Sequence, residues 1–251
     1  MVSIVSITWN NLEGLRATVE SVLAQDGADD FEVIVVDNMS SDGTDEFIAS
    51  LQDPRIRYMR QPDSGVYDAM NKGTRAAGFN KVIYLNAGDI LHDRGSLACM
   101  VGLAETHPSA PMVVVGAHQV GPDGSTSVHR NVPHRWFPHA FGLRPHCHAA
   151  MVFDVAAVRA AGGYSLESDF AGDFDLILRL GLLGEVPSDP RICIDYDTTG
   201  MSAQRKAEIP ELLHRIRTTR FQYPRWARRL DLTFVRTLEA YRGLRRRTHR
   251  R

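Results

Sequence analysis

Short apolar runs alternate with amphipathic stretches along the first part of the chain. Val2–Thr8 is a β-rich apolar run closed by Asn10 and Asn11. Leu12, Leu15, Val19, Val22 and Leu23 then share one face of a helix predicted over Leu12–Ala24. Phe31–Val36 is continuously apolar, the pattern of a central strand covered on both faces. It runs into Asp37 and a turn of small and polar residues ending at Gly43, after which Thr44 is placed to cap a helix over Asp45–Ser50. A third strand is predicted over Arg55–Arg60, a helix over Val66–Ala77 stopped by Gly78, and a fourth strand over Lys81–Leu85. Strand–helix alternation of this kind predicts an α/β fold, Rossmann-like and doubly wound around a mostly parallel sheet. Ligands bind such sheets outside the carboxyl ends of the strands. The polar residues at those ends are Thr8, Asn10, Asp37, Arg60, Asn86 and Asp89.

The second half is less regular. Met112–Val120 and Thr126–Asn131, joined through Gly121–Gly124, read as a hairpin. His146–Phe153 reads as a strand, Val155–Ala161 as a short helix, Asp173–Leu183 as a helix and Arg191–Tyr196 as a last strand. Beyond Gly200 the composition shifts to long Arg-rich helices with breaks near Pro210 and Pro224. The chain therefore divides into an α/β domain over 1–200 and a basic helical extension over 201–251.

Composition narrows the setting. With 43% hydrophobic and 24% charged residues, the chain is globular. Its three cysteines, Cys99, Cys147 and Cys193, form no close pair, which fits a reducing compartment. MVSIVSITWNN reads as a first strand rather than a signal peptide, and no apolar run reaches the roughly 18 residues of a spanning helix. The expectation is a cytoplasmic protein, at most peripheral on the inner face of the cell membrane. The net charge of -1 hides an asymmetry: 15 Lys/Arg face 4 Asp/Glu from Arg205 onward, against 14 and 26 before it. In the tail, Trp226, Leu230, Phe234, Leu238, Tyr241 and Leu244 form a stripe set among arginines, suited to an anionic membrane surface or to packing on the main domain. The tail carries no recognition motif for a specific nucleic acid.

Several segments could carry chemistry. In Asn86-Ala87-Gly88-Asp89 a carboxylate follows a buried strand among small residues; with a diphosphate it would suffice for Mg²⁺ or Mn²⁺, or it simply makes a turn. Asp37 can accept hydrogen bonds from a nucleobase or ribose, or close an Asx turn. The chain has neither G-x-G-x-x-G after its first strand nor a P-loop, which disfavours a dinucleotide cofactor and excludes a Walker-type phosphate site. Gln61–Gly73 crosses from a strand end into a helix whose N-terminus could receive a phosphate, with Asp63, Asp68 and Lys72 beside it; alternatively Asp63 or Ser64 caps that helix. Asp173 and Asp175 begin a helix after Gly172, where a carboxylate can act as general base or complement the helix dipole. His134, His139, His146, His148 and Cys147 crowd one stretch; a zinc site is conceivable there, and His148 as a polar group in an acceptor or phosphate pocket is the preferred reading. Asn38-Met39-Ser40 matches a glycosylation sequon by chance.

Six ordered blocks, VSIVSITWNN, EVIVVDNMSSDGT, QPDSGVYDAMNKG, YLNAGDIL, HCHAAMVF and FAGDFDLILRL, together resemble glycosyltransferase family 2. PDSGVYDAMNKG and LNAGDIL are especially similar to bacterial exopolysaccharide transferases of the colanic-acid type and to transferases acting on mycobacterial glycolipids. The resemblance implies a GT-A fold and inverting, single-displacement transfer from a nucleotide-diphosphate sugar, GDP- or UDP-linked, to a polysaccharide or lipid-linked acceptor. Thr8, Asn10, Asp37 and Arg60 would line the nucleoside pocket. Asn86 and Asp89 take the place of the family's D-x-D motif, with Asn for the first Asp and Asp89 as the carboxylate ligand of Mn²⁺ or Mg²⁺. Asp173 matches the catalytic base, with Gly172 in place of the usual neighbouring Glu. No apolar run is long enough for a membrane helix, so addition of one sugar is expected rather than polymerisation; the string Q-x-x-R-W of processive synthases does occur, at Gln222–Trp226 in the basic extension. A nucleotidyltransferase would carry a Gly-rich basic loop after the first strand, which Thr8–Leu12 lacks. A non-catalytic nucleotide-sugar or membrane-binding module is the remaining alternative.

Overall fold

The computed structural model describes residues 1–27, 30–129, 133–198 and 205–248, the last seven of these by backbone alone. Four strands lie parallel in the order β3 (Ile56–Arg60), β2 (Phe31–Asp37), β1 (Val2–Thr8) and β4 (Lys81–Tyr84). Strand alternation sends Val33 and Val35 to one face, where they pack with Leu15, Val19 and Val22 of α1 (Leu12–Leu23) and Phe47 of α2 (Thr44–Leu51). Ile34 and Val36 point the other way, onto Met70 of α3 (Val66–Ala76). The apolar run of β2 is thus a strand covered on both faces, as its composition implies.

Beyond β4 the sheet becomes mixed. The remaining strands are β5 (Ile90–Leu91), β6 (Met112–Val120), β7 (Thr126–His129), β8 (Met151–Asp154) and β9 (Ser188–Asp197). Antiparallel β8 joins β4 to β6; β9 runs parallel to β6, and β5 closes that edge against β9. Helices α4 (Ser96–Thr106), α5 (Trp136–Ala140), α6 (Val155–Ala160) and α7 (Gly172–Leu180) complete this half. After it come α8 (Ile209–Arg220) and α9 (Arg225–Thr248). The hairpin forms as expected up to His129, and its last residues lie outside the described ones.

Several local expectations are corrected. Gly43, in the left-handed region at φ 93°, precedes α2, and Thr44 is its first residue, its hydroxyl donating to Asp42 Oδ1 at 2.7 Å. Gly65, not Asp63 or Ser64, occupies the cap position of α3; Asp63 instead accepts from the Gly65 N–H at 2.8 Å. His146–Phe153 is not one strand: His148–Ala150 form a 3-10 turn before β8 begins at Met151. Helix α7 ends at Leu180, before Leu182 and Leu183, which are exposed. Pro210 sits in the first turn of α8, where its missing N–H costs no hydrogen bond, so the interruption falls at Pro224 alone.

The helical extension docks on the α/β layer. Leu212, Leu213 and Ile216 of α8 pack with Ala140, Phe174 and Leu178. Arg220 adds an ion pair to the buried Asp175 of α7 at 2.6 Å, and Asp175 also holds Arg179 at 3.0 Å. Asp175 is therefore a structural anchor for two arginines. Helix α9 buries Asp231 and Val235 and leaves Trp226, Leu230, Phe234 and Tyr241 exposed.

Candidate active site

The carboxyl ends of β1, β2 and β3 meet in register, with Thr8 opposite Asp37 and Asp37 opposite Arg60. Asp37 is fully buried, and its carboxylate closes an Asx turn by accepting from the Ser40 N–H at 3.0 Å and from the Ser40 hydroxyl. Its second oxygen accepts from Tyr58 at 2.6 Å and faces Arg60 Nε at 3.8 Å. Burial, then the hydrogen bond to Asp37 and its charge, push the Tyr58 phenol up, so it remains a donor. Asn10 stands above this turn in a left-handed conformation, φ 47°, with its N–H on Ser40 Oγ at 2.8 Å and its Oδ1 accepting from Ser41 N–H at 2.9 Å. The Thr8 hydroxyl is buried without a hydrogen-bond partner among the described residues. Thr8, Asn10, Asp37 and Arg60 thus converge, with Asn10 and Arg60 at the open side and Asp37 beneath.

The loop before α3 leans on the same corner, through Asp63 N–H to Asn38 Oδ1 at 2.9 Å. Asp68 accepts from the Ser64 N–H at 3.0 Å and pairs with Lys72 at 3.0 Å, and Lys72 also donates to the Pro62 carbonyl at 2.7 Å. Burial works to raise the Asp68 carboxyl, but the Ser64 N–H and Lys72 outweigh it and hold it below its ordinary value. Asp63, Asp68 and Lys72 therefore fix the entry to α3.

Across the cleft, Asn86–Asp89 leaves β4 in a tight turn. Gly88 holds φ 108°, a conformation open to glycine, and a Cβ there would touch nothing, so backbone geometry rather than space selects it. The turn is pinned by Thr18 on α1. Its hydroxyl accepts from the Gly88 N–H at 3.0 Å and lies within 2.8 to 3.1 Å of the carbonyls of Gly14, Asn86 and Asp89. Asn11 adds a bond to the Ala87 carbonyl at 3.1 Å, tying this turn to the β1 corner. Burial pushes the Asp89 carboxyl up to about 6, although His148 and the Asp197 N–H, 3.3 Å from Oδ1, work against that shift.

His148 connects this turn to α7. Its Nε2 lies 3.4 Å from Asn86 Nδ2 and its Nδ1 lies 3.6 Å from Asp173 Oδ2. Burial would lower the His148 pKa, but the Asp173 carboxylate outweighs it and raises the value. Reciprocally, burial would raise the Asp173 carboxyl, but the His148 hydrogen bond and charge hold it below the usual range. Tyr67 on α3 places its hydroxyl 3.4 Å from Asp173 Oδ1. The Tyr67 ring stacks on Tyr164 at 5.4 Å and fills the space over Gly172, where a Cβ would come within 2.8 Å of it. That close approach is a physical reason for glycine at 172.

The histidine-rich stretch separates into two parts. His134, His139 and His146 stack on one another behind Phe174, with His134 Nδ1 at 2.8 Å from His146 Nε2, while His148 turns toward Asp173. Burial pushes the Cys147 thiol up, away from the thiolate a metal would take. The conceived zinc site does not assemble: these residues form no group with three convergent ligand atoms among the described residues.

Two contributors escaped the pattern of polar strand ends. Thr18 is fully buried on the apolar face of α1, and a polar residue among Leu15, Val19 and Val22 was its available signal. Tyr67 lay within a segment already singled out, but its reach to Asp173, 106 residues away in sequence, is a tertiary fact.

Known proteins resemble this chain in sequence and in fold. The profile of "Glycosyl transferase family 2" matches residues 3–159. An uncharacterized glycosyltransferase of Mycobacterium tuberculosis is 28% identical over 242 residues, covering 96% of this chain and 92% of its own. A PGL/p-HBAD biosynthesis glycosyltransferase of Mycobacterium bovis is 30% identical over 189 residues, 71% of this chain and 69% of its own. Among solved structures, Staphylococcus aureus TarS 1-349 in complex with UDP-GlcNAc superposes with a TM-score of 0.69 at 13% identity, covering 92% of this chain and 70% of that one. A mannosyltransferase of Pyrobaculum calidifontis in complex with GDP-Man and Mn²⁺ superposes with a TM-score of 0.64 at 16% identity, covering 97% and 75%. The fold these structures share with this chain is GT-A.

Proposed function

This chain belongs to glycosyltransferase family 2, and from that premise we propose that it moves one sugar, with inversion, from a nucleotide-diphosphate donor to a saccharide or lipid-linked acceptor. The observation that supports the proposal is the chain of contacts from Asp173 through His148 to Asn86, which links a carboxylate to the turn bearing Asp89.

The donor's nucleoside would lie at the ends of β1 to β3, against Asn10 and Arg60 with Thr8 and Asp37 beneath. Its diphosphate would lie between the entry to α3, edged by Asp63, Asp68 and Lys72, and the Asn86–Asp89 turn. UDP-GlcNAc and GDP-Man are bound by the fold neighbours, so both nucleotide classes remain candidates here. The buried Oδ1 of Asn86 has no hydrogen-bond partner among the described residues, and the Asp89 carboxylate is destabilised by desolvation. Both features fit a hard divalent cation, Mn²⁺ or Mg²⁺, held by Asp89 with Asn86 beside it. When bound, such a cation neutralises the charge that builds on the departing diphosphate.

The rest of the chemistry falls to the chain's own groups. Asp173, kept ionised by His148, accepts the proton of the acceptor hydroxyl as that oxygen attacks the anomeric carbon from the face opposite the leaving group. Tyr67 and His148 hold the carboxylate in place from two sides, which reduces the cost of orienting it. Domain 1–200 would carry this reaction and 201–251 would bring it to its acceptor. The exposed Trp226, Leu230, Phe234 and Tyr241 lie among Arg225, Arg228, Arg229 and Arg236, a surface suited to anionic lipid. Vesicles containing phosphatidylglycerol should co-sediment the protein at low salt; recovery no higher than without vesicles would remove the membrane role, and equal recovery on neutral phosphatidylcholine vesicles would remove the part of the arginines.

The direct test is nucleotide release from UDP-, GDP- and dTDP-sugars with and without Mn²⁺ or Mg²⁺. Cation-dependent turnover of one donor is expected, with donor binding weakened in Asp89→Ala. Neither binding nor turnover across the panel would favour a non-catalytic module.

A further inference from the structure

A second constellation lies on the sheet edge, outside the residues assigned to the donor and the base. His92 just after β5, His118 on β6 and Asp195 on β9 bring one ligand atom each to within 4.8 Å of one another. His92 Nδ1 is 2.9 Å from Asp195 Oδ1, and His118 Nδ1 is 3.2 Å from the same oxygen. The two imidazoles meet edge to face at 4.9 Å.

We propose that His92, His118 and Asp195 form a binding site for a borderline divalent transition-metal ion of the zinc class, separate from the Asp89 position.

Zinc bonds to nitrogen and oxygen span about 2.0–2.2 Å, so adjacent ligands of a tetrahedral ion stand roughly 3.3–3.6 Å apart. The observed 2.9 and 3.2 Å are close to that edge, and small ring rotations open them to it. A neutral imidazole offers Nδ1 as a lone pair when its proton sits on Nε2, so the ligands need only a tautomer change. Two imidazoles with one carboxylate suit zinc, cobalt or nickel better than magnesium, which prefers an all-oxygen shell.

Backbone register builds the site in advance. His118 stands directly opposite Asp195 in the β6–β9 ladder, and Ile90 opposite Asp195 in the β5–β9 ladder. His92 is fixed by its own N–H on the Cys193 carbonyl at 2.9 Å. Access is open, because the His92 side chain retains 34% of its exposure. Asp195 also lines a cleft of about 340 Å³ with Gly88, Ile90, Val120, Gly121 and Asp197, which leaves room for a fourth ligand from solvent. Bound metal would clamp β5, only two residues long and next to Asp89, onto β6 and β9. The site would therefore brace the edge from which the Asn86–Asp89 turn projects, and it stands whether or not the donor reading does.

The test uses the full chain stripped with EDTA and titrated with Zn²⁺, and in parallel with Co²⁺, in the absence of any nucleotide. One equivalent should bind, Co²⁺ should give the intense visible bands of a four-coordinate ion, and Zn²⁺ should raise the melting temperature. His118→Ala, and separately the more exposed His92→Gln, should weaken binding by at least about tenfold, losing a direct ligand being no cheaper than losing a supporting one. Asp89→Asn should leave it unchanged. Circular dichroism establishes that each variant is folded, and His92→Gln serves if His118→Ala is not. Absence of stoichiometric binding at micromolar metal, binding that survives His92→Gln, or binding lost in Asp89→Asn would each overturn the assignment.

Discussion

His139 and His146 illustrate what single residues cost in this fold. Burial pushes His139 down to about 4 and His146 down to about 2, so the folded chain holds both rings neutral. An unfolded histidine titrates near 6.5. Above that pH both states are neutral and the full stability is present; as pH falls below it, the unfolded chain takes up protons first and stability declines. By pH 5 the loss is on the order of 2 kcal/mol for each ring. Asp89 works in the opposite sense, since a carboxyl raised to about 6 favours the folded state as pH falls through that value. Melting temperature should therefore drop between pH 6.5 and 5, and the double variant His139→Gln, His146→Gln should flatten that slope while lowering stability at pH 7.5. An unchanged slope would show that the rings are not held neutral. The sequence placed these histidines together but not their arrangement, because which ring faces Phe174 and which faces Asp173 depends on the 3-10 turn at His148–Ala150.

At the scale of elements, α1 to α3 and β1 to β4 were legible because each carries a clean period and a stop signal. Helix α4 went unassigned: Ser96–Thr106 is apolar on nearly all sides and carries no side-chain cap. Strand β5 is two residues long, too short for any period. The α9 stripe was legible as amphipathic, but its orientation was not. The buried face is set by Asp231, which receives Arg217 Nη2 at 2.7 Å and Nε at 3.2 Å, while Arg217 Nη1 donates to the Ala140 carbonyl at 2.6 Å. This ion pair is almost wholly buried, with side chains 1% and 4% exposed. Removing Arg217 leaves the buried Asp231 carboxylate with the His214 ring alone, 2.5 Å from Oδ2, so Arg217→Ala should cost about 3 kcal/mol, the low end for a broken buried pair. Urea denaturation of the full chain measures this. A loss below about 1 kcal/mol, the range of exposed pairs, would mean that the helices are not docked through this contact.

For the molecule as a whole, the parallel half predicts where a ligand would lie, and the mixed half carries the residue proposed to act on it. Thr8, Asp37 and Arg60 were identifiable as strand-end residues because register brings them together, and Asn10, two residues past β1, joins them through Ser40 and Ser41. Asp173 joins the cleft only because α7 passes over Tyr67 and His148, contacts spanning 106 and 25 positions that no local pattern encodes. The family resemblance implied Asp173 as the base but not its contacts, and the structure shows a carboxylate kept below its ordinary pKa beside an imidazole raised above its own. The central claim is that Asp173 acts on the acceptor's proton and not on the donor. It is tested by Asp173→Asn, with donor affinity measured by calorimetry and turnover by nucleotide release in the same preparation. The account predicts a dissociation constant within about threefold of the parent, roughly 0.7 kcal/mol, and turnover reduced by about 10²–10⁴. Turnover retained at the parent rate, or a loss explained by failure to bind donor, would contradict it.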